Sequence, residues 1–341
     1  MKGNRGIVIT GIIAILIVAF LGAYRLPYYV YKPGSADALN PIVEVADGYK
    51  SKGDMHLVTV RGGRATPIQW IIAKIRPYHE IYPLDQIRPK GISEDEYFQA
   101  QLQMMESSQE AAKVVAYKAA DKKVDINYDG VFVVQTLKGM PAEKKLKTGD
   151  QITKIDGKKI KESSDLIDYV DGLKEGDEVS LTIKRKDDIL TKDVKLAPFP
   201  SDPDRVGVGI SLVTDRSVDV DPEVKVKSGE IGGPSAGLMF SLEMYDQLTK
   251  ADLTKGYQIC GTGEISYDGK VGRIGGIDKK VVAADKAGCK IFFAPNEEGA
   301  KDSNYQVAKK TAKDIGTDMK VVPVDTFEDA LNYLKKLKAA S

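Results

Sequence analysis

The chain has 341 residues, which at roughly 150 residues per domain suggests about two domains. Hydrophobic residues make up 42% of it, enough for packed cores and too many for a disordered chain. Lys and Arg number 50 and Asp and Glu 49, so the net charge is +1 and the basic footprint of a nucleic-acid binder is absent.

The amino terminus carries an uncharged run from Gly6 to Ala23, 18 residues long. At about 1.5 Å per residue, such a helix just spans a hydrocarbon core of about 30 Å. A cleaved signal peptide has a shorter apolar stretch of about 7–15 residues and ends in small residues. Leu21-Gly22-Ala23 puts a large residue where a small one is wanted. The expectation is a retained, single-pass anchor over residues 1–24. Lys2 and Arg5 precede the run and Arg25 and Lys32 follow it, so the charge rule scarcely discriminates orientation. The short preceding tail is easily kept in the cytoplasm, leaving the bulk of the chain extracytoplasmic.

Residues 24–40, with Pro27, Pro33, Gly34 and Ser35, read as a linker. Met55 to Val60 reads as a strand bounded by Gly53 and Gly62-Gly63. Pro67 to Ile75 predicts a short helix ended by Pro77. Ser93 with Glu96 forms a capping box opening a helix to Ala120, whose Met and Gln content suggests a packed scaffold rather than a site. Residues 25–123 are thus expected to form a linker and an α+β scaffold.

From Val124 to Pro198 the pattern changes. Gly130 to Gln135 is a strand, Pro141-Ala142 opens a short helix, and Gly149-Asp150-Gln151-Ile152 leads through Ile155 to an Asp156-Gly157 turn. Ser163 and Ser164 cap a helix carrying Leu166, Ile167, Tyr169 and Val170, and two strands follow. This series resembles a PDZ domain of the bacterial protease-associated kind. Such domains bind an extended peptide by adding it to a sheet edge beside a helix. The resemblance implies a groove lined by Val131, Phe132, Val133, Val134, Leu166 and Val170, between the 131–135 strand and the 164–172 helix. A sheet packed on its own helix, without a ligand, is the alternative.

The remaining segment, 199–341, holds the chemistry. In Gly232-Gly233-Pro234-Ser235-Ala236-Gly237, glycines and a proline fix a tight turn and a serine precedes an apolar helix. Backbone N–H groups and the helix dipole favour a developing oxyanion there. The motif alone fits a nucleophile or a simple N-cap equally. A nucleophilic serine needs a base. His56 and His79, the only histidines, lie far upstream, and His79 has no second histidine at metalloprotease spacing. Lysine remains. Lys280 lies in a helical stretch with Ile277 three residues before it and Val281 and Ala284 after it, a face able to desolvate its ammonium. Lys279 lies about 100° away around the helix and should face differently.

Gly233 to Gly237, Thr262-Gly263-Glu264-Ile265 and Ile274-Gly275-Gly276-Ile277-x-x-Lys280 resemble the three ordered blocks of the Lon protease domain. That resemblance implies Ser235 as nucleophile, Lys280 as general base, Thr262 as the hydroxyl that helps hold the lysine, and Gly232, Gly233 and Pro234 as an oxyanion loop. Lon proteins usually carry Asp three residues before the serine; Gly232 stands there. No Gly-x4-Gly-Lys-Ser/Thr loop occurs, so no nucleotide is expected. Together the anchor, PDZ and Lon-like segments resemble the PDZ–Lon-like membrane proteases of Gram-positive bacteria. They imply an α+β multidomain fold: a transmembrane helix, a PDZ-like β-sandwich or barrel with helices, and a Lon-type α/β proteolytic domain.

The implied function is ATP-independent endopeptidase action on extracytoplasmic peptides or proteins, with no cofactor and no metal. A homo-oligomer is compatible with the sequence. The alternative function is an inactive membrane-tethered peptide-binding adaptor, which loss of Ser235, Thr262 or Lys280 would have favoured. Cys260 and Cys289 lack metal-site spacing and read as two small buried apolar residues, with a disulfide as the alternative outside the cytoplasm.

Overall fold

A computed structural model describes residues 3–88, 92–200 and 202–340, with the side chains of residues 3–8 outside the described set. The first helix, α1, covers Gly3–Ala23. Among the described residues no helix is long and apolar enough to cross a membrane. The expected span begins at Gly6, so its first side chains lie outside the described residues. From Ile9 to Phe20 the large apolar side chains of α1 are exposed.

Next come β1 (Tyr28–Ala38), β2 (Asp54–Arg64), α2 (Pro67–Ile75), β3 (Glu80–Pro83) and α3 (Glu94–Ala119). Local chemistry fixes both helices. Thr66 caps α2 and exchanges hydrogen bonds with Gln69, Pro67 fills the first turn, and the helix stops at Arg76 before Pro77. Ser93 and Glu96 make the same reciprocal box at α3.

The linker expected over residues 24–40 is instead strand β1. It pairs antiparallel with β2 on one edge and with β3 on the other. Pro33, Gly34 and Ser35 sit where the β1–β2 register shifts, a bulge that absorbs a residue unable to donate to the ladder.

The middle of the chain supplies β4 (Lys123–Thr136), β5 (Gln151–Ile155), α4 (Ser163–Asp171), β6 (Glu178–Arg185), β7 (Asp188–Lys195) and β8 (Ile210–Asp221). The last part supplies α5 (Gly237–Leu248), β9 (Gln258–Gly261), α6 (Ile277–Lys286), β10 (Ile291–Pro295), α7 (Asn304–Ile315), β11 (Lys320–Val324) and α8 (Phe327–Lys335).

Two sheets organise these elements. One runs β11-β10-β9-β2-β1-β3, with β9 parallel to both β10 and β2. The scaffold expected as a separate region therefore shares its sheet with the carboxy-terminal segment. The other sheet runs β8-β4-β5-β6-β7 and is antiparallel, with a short strand at Lys158–Lys159 beside β5. Its outer strand, β8, begins at Ile210, so the boundary expected after residue 198 cuts off a strand of this sheet.

Each sheet has its own core. Val131, Ile152, Leu166, Leu181 and Ile183 anchor the antiparallel one. Leu57, Met105, Phe240, Leu242 and Phe293 belong to the larger core joining α3, α5 and the mixed sheet. A third cluster packs Val58, Ile277, Val281, Ala284 and Phe292 around α6.

Cys260 and Cys289 are both buried in that third cluster, as expected, but they are bonded to each other, with Cα atoms 5.8 Å apart. The reading of two unlinked apolar residues is corrected accordingly. The bridge ties β9 to the turn that follows α6. Replacing both by alanine should lower stability by about 3–4 kcal/mol, the loop-closure value for their separation of 29 residues. Urea unfolding of the double variant under oxidising conditions measures this, and an unchanged midpoint would contradict it.

Candidate active site

Ser235 lies in the turn ahead of α5, whose N-cap is Ala236. The serine is therefore not the cap, and its Oγ accepts a hydrogen bond from Lys280 Nζ at 2.7 Å. The serine backbone is pinned from the β9 side. Its carbonyl accepts from the Thr262 hydroxyl at 2.9 Å and from the Gly263 N–H at 2.9 Å. Lys280 also donates to Thr262 Oγ1 at 2.9 Å. One threonine hydroxyl thus orients both the serine and the lysine.

Lys280 is 4% exposed and Thr262 is fully buried. The apolar flank expected from Ile277, Val281 and Ala284 is present, and all three are buried. Burial pulls the Lys280 ammonium from its ordinary 10.5 down to about 7. Among the described residues no carboxylate forms an ion pair with it. Lys279, its neighbour, does face differently, yet it too is buried. Its ammonium lies 2.8 Å from Glu80 Oε2 and 3.1 Å from Asp278 Oδ1. Two adjacent lysines on one helix thus differ in whether a carboxylate compensates the lost water.

The oxyanion loop needs one correction. The Gly233 N–H already donates to the Gln101 carbonyl at 2.8 Å, and Pro234 has no N–H. Among the described residues the backbone N–H groups of Ser235 and Ala236 have no internal partner and are the free donors beside the serine hydroxyl. Gly233 adopts φ +87, which glycine tolerates. A Cβ at Gly232 would lie 2.7 Å from Gln101 Cβ. The position where Lon proteins usually carry Asp is therefore closed here by α3.

Helix α3 contributes more than scaffold. Besides Gln101, its Ser108 hydroxyl donates to the Pro234 carbonyl at 2.8 Å. Ser108 falls on the seam Met105, Ser108, Ala112 and Val115, a lone hydroxyl on an otherwise apolar stripe. That polar interruption was a usable signal; the Gln101 contact, made by backbone, left none. The open space above Ser235 and Lys280 is a cleft of about 440 Å³, walled by Val58 to Arg61 of β2, Gln101 and Met105 of α3, and the 230–236 loop.

The peptide groove is not where residues 131–135 predicted it. β4 is paired on both edges, by β8 and by β5, so it has no edge to offer. Val131 and Val133 are core residues. Leu166 and Val170 of α4 do line a groove, of about 320 Å³, but its other wall is Val206 to Leu212, at the start of β8. Phe132 and Val134 do not line it. Ser163 closes one end, its N–H donating to Thr214 Oγ1 at 2.9 Å.

Comparison with known proteins identifies two segments, with β8 falling in the second. Residues 101–196 match the family model of the PDZ domain, and residues 210–336 match that of the Lon protease (S16) C-terminal proteolytic domain. The chain carries a PDZ domain and a Lon-type proteolytic domain. Lon protease of Mesomycoplasma hyopneumoniae is 34% identical over 104 residues, 30% of this chain and 11% of that protein. Lon protease of Campylobacter jejuni is 35% identical over 105 residues, again 30% of this chain and 12% of the other. The chain therefore spans about an eighth or less of these curated relatives. Among solved structures, the PDZ domain of an SdrC-like protein from Listeria monocytogenes is 40% identical, covering 26% of this chain and 93% of that one, with a TM-score of 0.24.

The uncompensated amine has a thermodynamic consequence. Between about pH 7 and 10.5 the unfolded chain holds a proton on Lys280 that the folded chain does not, so this group makes stability rise with pH over that window. Below pH 7 both states are protonated and the full penalty remains. Lys280→Met should therefore stabilise the fold at pH 7, by up to about 4 kcal/mol at 1.36 kcal/mol per pKa unit. The gain over the parent should shrink as pH rises toward 10. Denaturant titrations of both proteins at several pH values read it; a gain independent of pH would refute it.

Proposed function

We propose that this chain is a serine endopeptidase that works without ATP, is anchored by α1, and acts outside the cytoplasm on peptides and loosened proteins. The observation that carries the catalytic part is the 2.7 Å hydrogen bond from a desolvated lysine to a serine hydroxyl at the floor of an open cleft. With its pKa near 7, the amine is largely neutral under mildly alkaline conditions and can accept a proton.

In the first step neutral Lys280 takes the Ser235 proton as Oγ attacks the scissile carbonyl. The oxygen of the tetrahedral adduct collects negative charge beside the Ser235 N–H at the start of α5. The Lys280 ammonium then gives its proton to the leaving amine, the C–N bond breaks and an acyl-enzyme ester remains. Water enters, loses a proton to Lys280 and attacks the ester. Ser235 regains a proton from the ammonium as the acid product leaves. Thr262 holds both partners through the cycle.

The absence of a phosphate-binding loop from these 341 residues supports action without nucleotide. The Cys260–Cys289 bridge suits an oxidising compartment, and the apolar exposed surface of α1 suits a bilayer. The groove between α4 and β8 offers the open edge of an outer strand beside a helix, fit to receive an extended peptide. An inactive adaptor would have no use for the complete Ser235, Thr262 and Lys280 set.

Ser235→Ala and Lys280→Ala should each abolish cleavage of a short peptide, and the double variant should be no worse, since members of one catalytic unit fail together. Turnover should rise through a single step near pH 7 and should not respond to ATP with magnesium. A pH profile of kcat/KM reads the first of these. Robust cleavage by purified Lys280→Ala, or an optimum near pH 5, would overturn the assignment.

A further inference from the structure

Helix α2 has one face against the protein and the opposite face against nothing. Ala73 is buried and Trp70 is half-buried against Val30, Ala65 and Leu26. On the other side Ile68, Ile71, Ile72 and Ile75 are 47%, 48%, 41% and 77% exposed. Their spacing, i, i+3, i+4 and i+7, puts them within an arc of about 100°. An exposed stripe of four isoleucines is costly in water and unusual on a soluble surface. The capping box that starts this helix and its full set of turns show that it is well formed, so the stripe is a built face.

Its position says what covers it. The chain leaving α1 is hydrogen-bonded to the residues just before α2: Leu26 N–H donates to Ala65 O at 2.8 Å, Arg25 Nη1 to Arg64 O at 3.0 Å and Arg64 Nε to Leu26 O at 3.0 Å. α2 is therefore fixed at the level where α1 ends, and it packs against α1. The two adjacent helices both expose large apolar side chains. Residues 55–79 include Arg61, Arg64, Lys74 and Arg76 and contain no Asp or Glu. Tyr24, Tyr28 and Trp70 lie at the same junction, with the Tyr28 and Trp70 rings 6.4 Å apart. Basic and aromatic residues at this level match an anionic headgroup layer.

We infer that α2 is an interfacial helix: its Ile68, Ile71, Ile72 and Ile75 face seats in the surface of an anionic bilayer beside α1. The inference rests on the proposed anchoring by α1. It gives the anchored protein a second, lateral attachment that fixes how the protease body stands on the membrane, which a single helix does not.

Trp70 is the one tryptophan of the chain and sits on α2, so it reports the helix directly. A helix is about 10–12 Å across, which keeps its ring within quenching range of lipid under the opposite face. The full chain is reconstituted into vesicles of phosphatidylcholine and phosphatidylglycerol, with and without bromine near the headgroup end of the acyl chains. Flotation is measured beside Trp70 quenching, for the parent and for Ile71→Glu with Ile75→Glu. The expected result is flotation of both proteins, strong quenching in the parent and loss of most of it in the variant. Peptide cleavage in detergent should be equal for both, which certifies the fold. Flotation without quenching in the parent overturns the inference and leaves anchoring intact. Undiminished quenching in the variant overturns the role of this face. Failure to float overturns the anchoring reading and the inference with it. A stripe covered by a second copy would show as a loss of self-association in the variant without lipid quenching, which also overturns it.

Discussion

A lysine amine buried without a carboxylate is a cost that the rest of this proteolytic domain is arranged to bear. Lys280 is buried on a helix whose Ile277, Val281 and Ala284 pack with Val58 and Phe292 of the sheet in one apolar cluster. What replaces water is two hydroxyls, at 2.7 and 2.9 Å. Neither carries charge, so neither restores the ammonium. Lys279, next in the chain, loses its water as completely but gains Glu80 and Asp278. Two identical side chains one residue apart thus end with opposite chemistry because one helix face meets apolar strands and the other meets a carboxylate on β3. The reactive amine is a property of packing, and the stability given up for it is the condition for its use near neutral pH.

The serine imposes a second constraint, because the nucleophile proposed here must be held without being capped. The 232–236 turn is clamped from two sides. β9 reaches the Ser235 carbonyl through Thr262 and Gly263, while α3 reaches Gly233 and Pro234 through Gln101 and Ser108. The clamps use backbone groups of the turn and leave the Ser235 hydroxyl to the lysine. The close approach of α3 excludes a side chain at position 232, which accounts for glycine where Lon proteins usually carry Asp. The amino-terminal region is therefore part of the site's support, and β2 forms its facing wall.

Features set by local chemistry were legible in the sequence. Capping boxes at Thr66 and Ser93 mark real helix starts, and the apolar flank of Lys280 marks a buried face. Features that depend on distant pairing were not. Pro33-Gly34-Ser35 has the composition of a linker, yet it is a bulge held between β2 and β3, which lie far enough along the chain to leave no local trace. Residues 210–221 fall in the segment expected to be proteolytic, and the Lon-type match also begins at 210, yet they pair with β4 of the antiparallel sheet. The PDZ resemblance implied a groove beside β4, but whether an edge is open depends on what pairs with it. The two cysteines lacked any spacing signature, and only the adjacency of β9 to the turn after α6 brings them together.

Strand β8 joins these two halves more firmly than a linker would. Its first residues wall the groove beside α4, and its whole length pairs with β4, from Ile210 opposite Thr136 to Asp221 opposite Lys123. Its later residues also meet α3, where the Val218 N–H donates to Glu110 Oε2 at 2.7 Å. The same helix clamps the nucleophile turn. The register shifts between Asp215 and Arg216, opposite Gly130. Gly130 stands at φ +121, and a Cβ there would fall 2.3 Å from the Ile152 carbonyl, so only glycine permits the approach of β5 at that point. The extra residue, Asp129, lies on β4, so this bulge resets the alternation of β4 while Ile210, Leu212, Val218 and Val220 keep to one face of β8. Upstream of it, the strand answers to the PDZ core and the groove; downstream, to α3. The glycine and the bulge let β4 yield to β5, while β8 runs on unbroken from the antiparallel core to the helix that clamps the Ser235 turn.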